Sequence, residues 1–394
     1  MEFHFGCLIL SALFFFIFIS APIPLMIDKY VRLLMIDKLR AVAAHISEFN
    51  SKVADEARFI RANYGIKKSE QDSVSFDGAL EEGISIPVNG TKINGKVCAV
   101  DSGLLSSELH GIDIAVCRPA CSCFSYSNSK VVSSDYFPSR VPESVIDVRI
   151  GLDHSEAQIF RQLFRLEQEI SCAISVAEKL HPNILFLDGS ILPLPSDRPG
   201  AESELSSLYS ELIHSYVRLY SICEKEKILL IGLSKDSRGR RFVDSIKPHL
   251  SSRASDAVFL NHLLAARERT FSMSYSQFPK KHLILRDIGI SDLKVAGGSN
   301  FADKLNLFYI KCVEGDYPLR VEFLSYSGTG ASAVAPIVLS LSAINKNYAY
   351  PAVLIDADLK AMLDPLELER VQKALMDLSP NSIRQMRRNA RPFR

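Results

Sequence analysis

The chain has 394 residues, 47% hydrophobic and 23% charged, which excludes widespread disorder and allows one large core or two modest ones. With 46 basic residues against 45 acidic, it is not a globally basic protein, so any nucleic-acid contact has to come from a local basic surface. Eight scattered cysteines form no disulfide framework and read as reduced thiols of an intracellular protein, with a cytoplasmic main domain.

In chain order, Phe5 to Ile27 carries no charge and is long enough for a membrane span, yet it has no basic leader, and Pro22 and Pro24 break its second half. Met26 and Met35, in the near-repeats Leu25-Met-Ile-Asp-Lys29 and Leu34-Met-Ile-Asp-Lys38, are alternative starts. Ile36 to Tyr64 has apolar residues at helical spacing and predicts a long amphipathic helix or helix pair. Residues 66 to 93 read as a connecting segment, with room for a small hairpin at Asn89-Gly90 and Asn94-Gly95.

Lys96 to Val100 is an apolar strand ending at Asp101-Ser102-Gly103. Gly111 to Val116, Cys121 to Tyr126 and Lys130 to Val132 predict two or three further strands, with turns at Pro119 and Ser127-Asn128. Cys117, Cys121 and Cys123 have no second pair at zinc-site spacing and read as a strand that carries thiols. Ser155 to Leu180 predicts a helix, Asn183 to Leu187 a strand ending at Asp188-Gly189-Ser190, Ala201 to Lys225 a helix, and Lys227 to Gly232 a strand. Beyond these, Ala254 to Arg267 reads as a helix, and His282 to Leu285, Leu305 to Val313 and Tyr317 to Leu324 as strands. Val334 to Ile344 and Pro365 to Asp377 read as helices. A tail from Ser382 carries five arginines and no acid. The order implies a mixed α/β sheet with an antiparallel group at its start.

Two strands that each end in an aspartate and a small-residue turn deliver two carboxylates to one sheet edge, where ligands of α/β sheets collect. A lone Asp-Gly commonly just caps a turn, but a pair of such carboxylates would repel each other unless a divalent cation lay between them. A metal-dependent phosphoryl-transfer site also needs a carboxylate from a neighbouring helix, and Glu167 and Glu169 are the candidates. With the apolar stripe centred near Ile170, Glu167 lies about 60° away and Glu169 about 100°, which leans towards Glu167, although both are also ordinary solvent-facing helix residues. After the third strand, Lys235 is placed to offset charge on a transferring phosphate, and Arg238, Arg240 and Arg241 to contact a nucleic-acid backbone. Neither a Walker loop nor a serine-nucleophile elbow is present.

Five short motifs in this order resemble the NurA nuclease family: Ala99-Val-Asp101-Ser-Gly, Leu185-Phe-Leu-Asp188-Gly-Ser, Leu230-Ile-Gly-Leu-Ser-Lys235-Asp-Ser, Arg320-Val-Glu322-Phe and Tyr350-Pro-Ala-Val-Leu-Ile-Asp-Ala357. The resemblance runs from about Met35 to Leu375. It implies a ribonuclease H-like core and a Mn²⁺ (or Mg²⁺) dependent DNA nuclease with 5′ to 3′ exonuclease and single-strand endonuclease activity. It also implies a homodimer working in DNA end resection and repair with a HerA-type hexameric ATPase translocase. Asp101, Asp188 and one of Glu167 and Glu169 fall on the family's metal ligands. Where family members often carry a histidine after the Tyr-Pro motif, this chain has Asp358. The expected organisation is an apolar extension over 1–34, a nuclease domain over 35–380 and a basic tail over 381–394. The rival readings are a catalytically inactive ribonuclease H-like module that binds nucleic acid or a motor, and a membrane-anchored interaction protein.

Overall fold

The computed structural model describes residues 23–64, 76–246, 250–251, 253–278 and 282–379, with side chains from residue 35. The apolar extension and the arginine tail therefore lie largely outside the described residues, within which no helix is long and apolar enough to cross a membrane. The chain divides into two compact units, residues 1–56 and 57–394. Helix α1 (Ile23–Tyr64) supplies all of the described part of the first unit.

The second unit is built on one sheet. Strand β1 (Ile86–Pro87) is short, and β2 (Gly95–Leu109) turns back into β3 (Ile112–Ser127), which pairs with both β4 (Lys130–Phe137) and β5 (Val145–Ile150). Helix α2 (His154–Leu180) leads to β6 (Ile184–Asp188), and α3 (Ser206–Glu226) to β7 (Leu229–Ser234). The short helices α4 (Arg241–Ser245) and α5 (Asp256–Leu263) precede β8 (Glu268–Arg269) and β9 (Met273–Ser274). Then come α6 (Leu283–Val295), α7 (Phe301–Lys304), β10 (Leu305–Lys311), β11 (Leu319–Leu324), α8 (Ala331–Ser342), α9 (Ala352–Ala361) and α10 (Pro365–Leu378). The strands run in the order β1-β8-β10-β11-β7-β6-β2-β3-β4. Among the described residues, β2–β6 and β6–β7 pair in parallel and the other strand pairings are antiparallel. The segment β4-β3-β2-β6-β7, antiparallel at first and then parallel, is the ribonuclease H-like arrangement.

Strand alternation supplies two apolar faces. Val97, Ala99, Ile184, Phe186, Ile231, Val321 and Phe323 pack with Val334, Val338, Val353, Leu354 and Ala357 of α8 and α9. Cys98, Val100, Leu185, Leu187 and Leu230, also buried, alternate to the side covered by α2 and α3. Burying a side chain such as Phe186 contributes roughly 1.5–3 kcal/mol. The register of the parallel core is pinned by Asn183, which bonds both main-chain groups of Lys96 and accepts from the Leu229 amide.

Several expectations need correction. Asp101 does not end its strand: β2 continues eight residues further, to Leu109, because β3 pairs with it along its whole length. What ends near Asp101 is the parallel neighbour, since β2–β6 pairing stops at Val100. Pro119 makes no turn; it pairs with Ser102 inside β3, between the stretches that bond β5 and β4, so no outer strand needs its missing N–H. The thiols of Cys117, Cys121 and Cys123 are buried on β3. His282–Leu285 is not a strand but the entry to α6, whose buried Ile284, Leu285, Ile288, Ser291 and Asp292 follow a helical period. No hairpin forms at residues 89–95; β1 instead pairs with the distant β8.

Candidate metal-dependent nuclease site

The site lies in a notch of the sheet edge. Strand β6 stops at Asp188, where Gly189 takes φ +126 and donates its amide to the Leu233 carbonyl at 2.8 Å. Adjacent Asp101 is 8% exposed, and its carboxyl accepts the Ser102 amide at 2.6 Å. Helix α2 closes the notch from the other side of the sheet. It starts from a capping box in which Asp153 accepts the Ser155 and Glu156 amides, and it ends at His181 in the left-handed conformation.

The helix brings Glu169, not Glu167, to this place. Glu169 is 2% exposed and accepts from Ser102 Oγ at 2.6 Å and Arg165 Nη1 at 2.8 Å. Glu167 bonds Ser171 and, across the helix pair, Ser215 of α3. The lean towards Glu167 fails because α2 has two buried flanks, one on the sheet and one on α3, so the centre of its apolar stripe points between them.

On the opposite side of Asp188, Tyr350 donates its hydroxyl at 2.8 Å and Lys235 Nζ lies at 3.2 Å. The lysine also sits 4.4 Å from the centroid of the Tyr350 ring. Gly103 lets α9 approach: a Cβ there would stand 2.2 Å from the Ala361 carbonyl oxygen. Through this contact α9 brings up Asp356, which accepts from Ser122 at 2.7 Å, and the exposed Asp358.

Charge in the notch is unbalanced. Burial, then Asp188, Glu169 and Asp358, push Asp101 up to about 7. Burial also raises Glu169, and Arg165 and Ser102 only partly oppose it. Burial works against the charge on Lys235, but Asp188 and other neighbours outweigh it and its pKa rises. Tyr350 is shifted far upward by burial and then by Asp188, so it stays protonated and acts as a donor. As placed, no three His, Cys, Asp or Glu side chains among the described residues stand together closely enough to enclose a metal ion. Asp188 is bonded to Lys235 and Tyr350, and Glu169 to Arg165 and Ser102. The chemistry nevertheless fits a hard divalent cation: the donors are all oxygens, Asp101 and Glu169 are buried and Asp188 partly so, and each raises the cost of charge on its neighbour, which is what Mn²⁺ or Mg²⁺ relieves.

The sequence matches the NurA domain family over residues 95–362. The chain belongs to the NurA family. The architecture of this NurA-family chain is similar to the NurA nuclease from Sulfolobus solfataricus, at 15% identity and TM-score 0.50, over 91% of this chain and 97% of the other. It is likewise similar to a NurA bound to dAMP and manganese, at 11% identity and TM-score 0.50, over 91% and 98% of the two chains. No curated protein gives a significant sequence match.

The three arginines separate. Arg238 is exposed. Arg240 bonds the Ala254 carbonyl at 2.9 Å, and Arg241 lies 4.0 Å from the Tyr275 ring centroid and donates to the Phe278 carbonyl. Expecting all three on a nucleic-acid surface overlooked that the turn into α4 directs Arg240 and Arg241 to the protein's own main chain. Tyr350 was legible only as part of a Tyr-Pro motif, and Arg165 only as a charge one turn before Glu169.

Proposed function

We propose that this NurA-family chain is a divalent-metal-dependent deoxyribonuclease that hydrolyses phosphodiesters. The single observation that carries the reading is that Asp101, Asp188 and Glu169, from β2, β6 and α2, face one notch of the sheet edge near enough to act on one another's charge, with Lys235 and Tyr350 bonded to Asp188. The manganese and dAMP of the related NurA structure support the choice of metal and of a nucleotide substrate. Asp101, Asp188 and Glu169 would hold Mn²⁺ or Mg²⁺, which supplies Lewis acidity and charge neutralisation at the scissile phosphate. Arg165 and Ser102 keep Glu169 oriented. Lys235 places a positive charge where negative charge grows on the phosphoryl oxygens, and Tyr350 orients Asp188 by donating a hydrogen bond to its carboxylate. Arg238 is left to contact the DNA backbone.

At a finer level, the proposed role is 5′ to 3′ exonuclease and single-strand endonuclease action in end resection, by a homodimer partnered with a HerA-type hexameric translocase. The family resemblance supports this role. The test is cleavage of end-labelled single- and double-stranded DNA with Mn²⁺, Mg²⁺ or chelator, beside Asp188→Ala. Metal-dependent cleavage that the variant loses is expected. No cleavage in any metal, even with the translocase added, would instead favour a binding module.

A further inference from the structure

Asp188 closes its strand just before a turn, and that turn is bonded to a carboxylate two strands away. Glu322 of β11 is fully buried. It lies opposite Gly232 of β7, which in turn lies opposite Leu187, the residue before Asp188. Gly232 leaves a gap: a Cβ there would meet the Gly189 carbonyl oxygen at 2.5 Å and the Ile191 amide nitrogen at 3.0 Å. The turn after Asp188 folds into this gap. There Glu322 Oε2 accepts Ser190 Oγ at 2.6 Å and the Ile191 amide at 3.0 Å. Its other oxygen accepts Tyr275 Oη at 2.6 Å and pairs with Arg320 at 2.7 Å. Tyr220 of α3 donates to the Ile191 carbonyl, so both main-chain groups of that residue are held.

We propose that Glu322 is a positioning residue for Asp188, which grips Ser190 and Ile191 through the gap at Gly232 and thereby sets the direction in which the Asp188 carboxylate enters the notch. The role rests on the nuclease reading above. Three hydrogen bonds and the Arg320 ion pair all bring donors to Glu322, so a carboxyl group is required: glutamine would turn its NH₂ against either the Ser190–Ile191 pair or the Tyr275–Arg320 pair. A purely structural Glu322 would affect folding without affecting metal affinity.

The experiment measures Mn²⁺ binding without DNA, by calorimetry and by metal-induced thermal shift, for the wild-type chain, Asp188→Ala, Glu322→Gln and Ser190→Ala. Metal-dependent DNA cleavage is measured in parallel. Asp188→Ala abolishes the shift; Glu322→Gln weakens Mn²⁺ binding about 10-fold, at the low end of the range for groups that orient metal ligands, and Ser190→Ala, which removes a single bond, weakens it measurably but less. Cleavage by both recovers in part at high Mn²⁺. Should Glu322→Gln fail to fold, Ser190→Ala decides, since it removes one bond and keeps the Tyr275 and Arg320 contacts. Wild-type Mn²⁺ affinity in the folded variants overturns the positioning role and leaves the nuclease reading standing. A wild-type chain that neither binds Mn²⁺ nor cleaves DNA overturns both.

Discussion

Replacing Gly232 with alanine tests the packing that shapes the site. The added Cβ would stand 2.5 Å from the Gly189 oxygen, 2.8 Å from Ile191 Cγ2 and 3.0 Å from the Ile191 nitrogen. Two of these three are main-chain atoms, so no side-chain rotation relieves the contact. Restoring 3.4 Å to the Gly189 oxygen needs a displacement of about 0.9 Å, applied one residue beyond Asp188. Overpacking a well-filled interior costs roughly 1–3 kcal/mol. Misplacing a reacting group by about 1 Å can cost on the order of 100-fold in rate. Urea unfolding followed by far-ultraviolet dichroism should show a midpoint lowered accordingly, and Mn²⁺-dependent cleavage should fall by more than the lost stability accounts for. Gly200→Ala is the control, because nothing lies within 4 Å of its Cβ. A Gly232→Ala chain with the stability and cleavage rate of the Gly200→Ala chain would refute the reasoning.

Glu169→Gln should abolish metal-dependent cleavage, whereas Glu167→Gln should leave it within about 3-fold, because Glu167 bonds only Ser171 and Ser215; equal losses would contradict the placement of α2. Tyr350→Phe removes the hydroxyl from Asp188 but keeps the ring beneath Lys235, and should slow cleavage about 10- to 100-fold with about 1 kcal/mol of stability lost; an unchanged rate excludes a role for the hydroxyl. His282 is lowered to about 4 by burial first and then by Arg241 and Arg320, so the unfolded chain takes up its proton before the folded one does. Stability from this group is complete above the ordinary histidine range and is lost as pH falls from about 6.5 to 4. His282→Gln should flatten that part of a urea-midpoint profile, and an unaltered slope would count against it. Asp153→Ala removes the cap of α2 and should lower the urea midpoint; an unchanged midpoint would mean the box contributes nothing.

Local patterns carried much of the fold. The helical period of α2, α3 and α10 and the apolar runs of β6, β7, β10 and β11 are visible without any partner, because burial of one face imposes spacing on the sequence itself. The short α9 was not legible as a helix, since ten residues with apolar and acidic positions interleaved carry too few turns for a period to stand out. The entry to α6 read as a strand for a related reason: four apolar-rich residues satisfy either period.

What the sequence by itself determined was the chemistry on offer: two aspartates behind apolar strands, glutamates on the intervening helix, and a lysine after the third strand. Which of them meet was decided by tertiary structure. Asp101 sits at the edge of a notch because β6 ends beside it, although its own strand continues. Glu169 replaces Glu167 because α2 is buried on two flanks, and Arg240 and Arg241 turn to main-chain carbonyls. The grip of Glu322 on Ser190 depends on a glycine 90 residues earlier in the chain. Each of these outcomes depends on the position of a neighbour distant in sequence, and local periodicity holds no record of where a neighbouring strand stops.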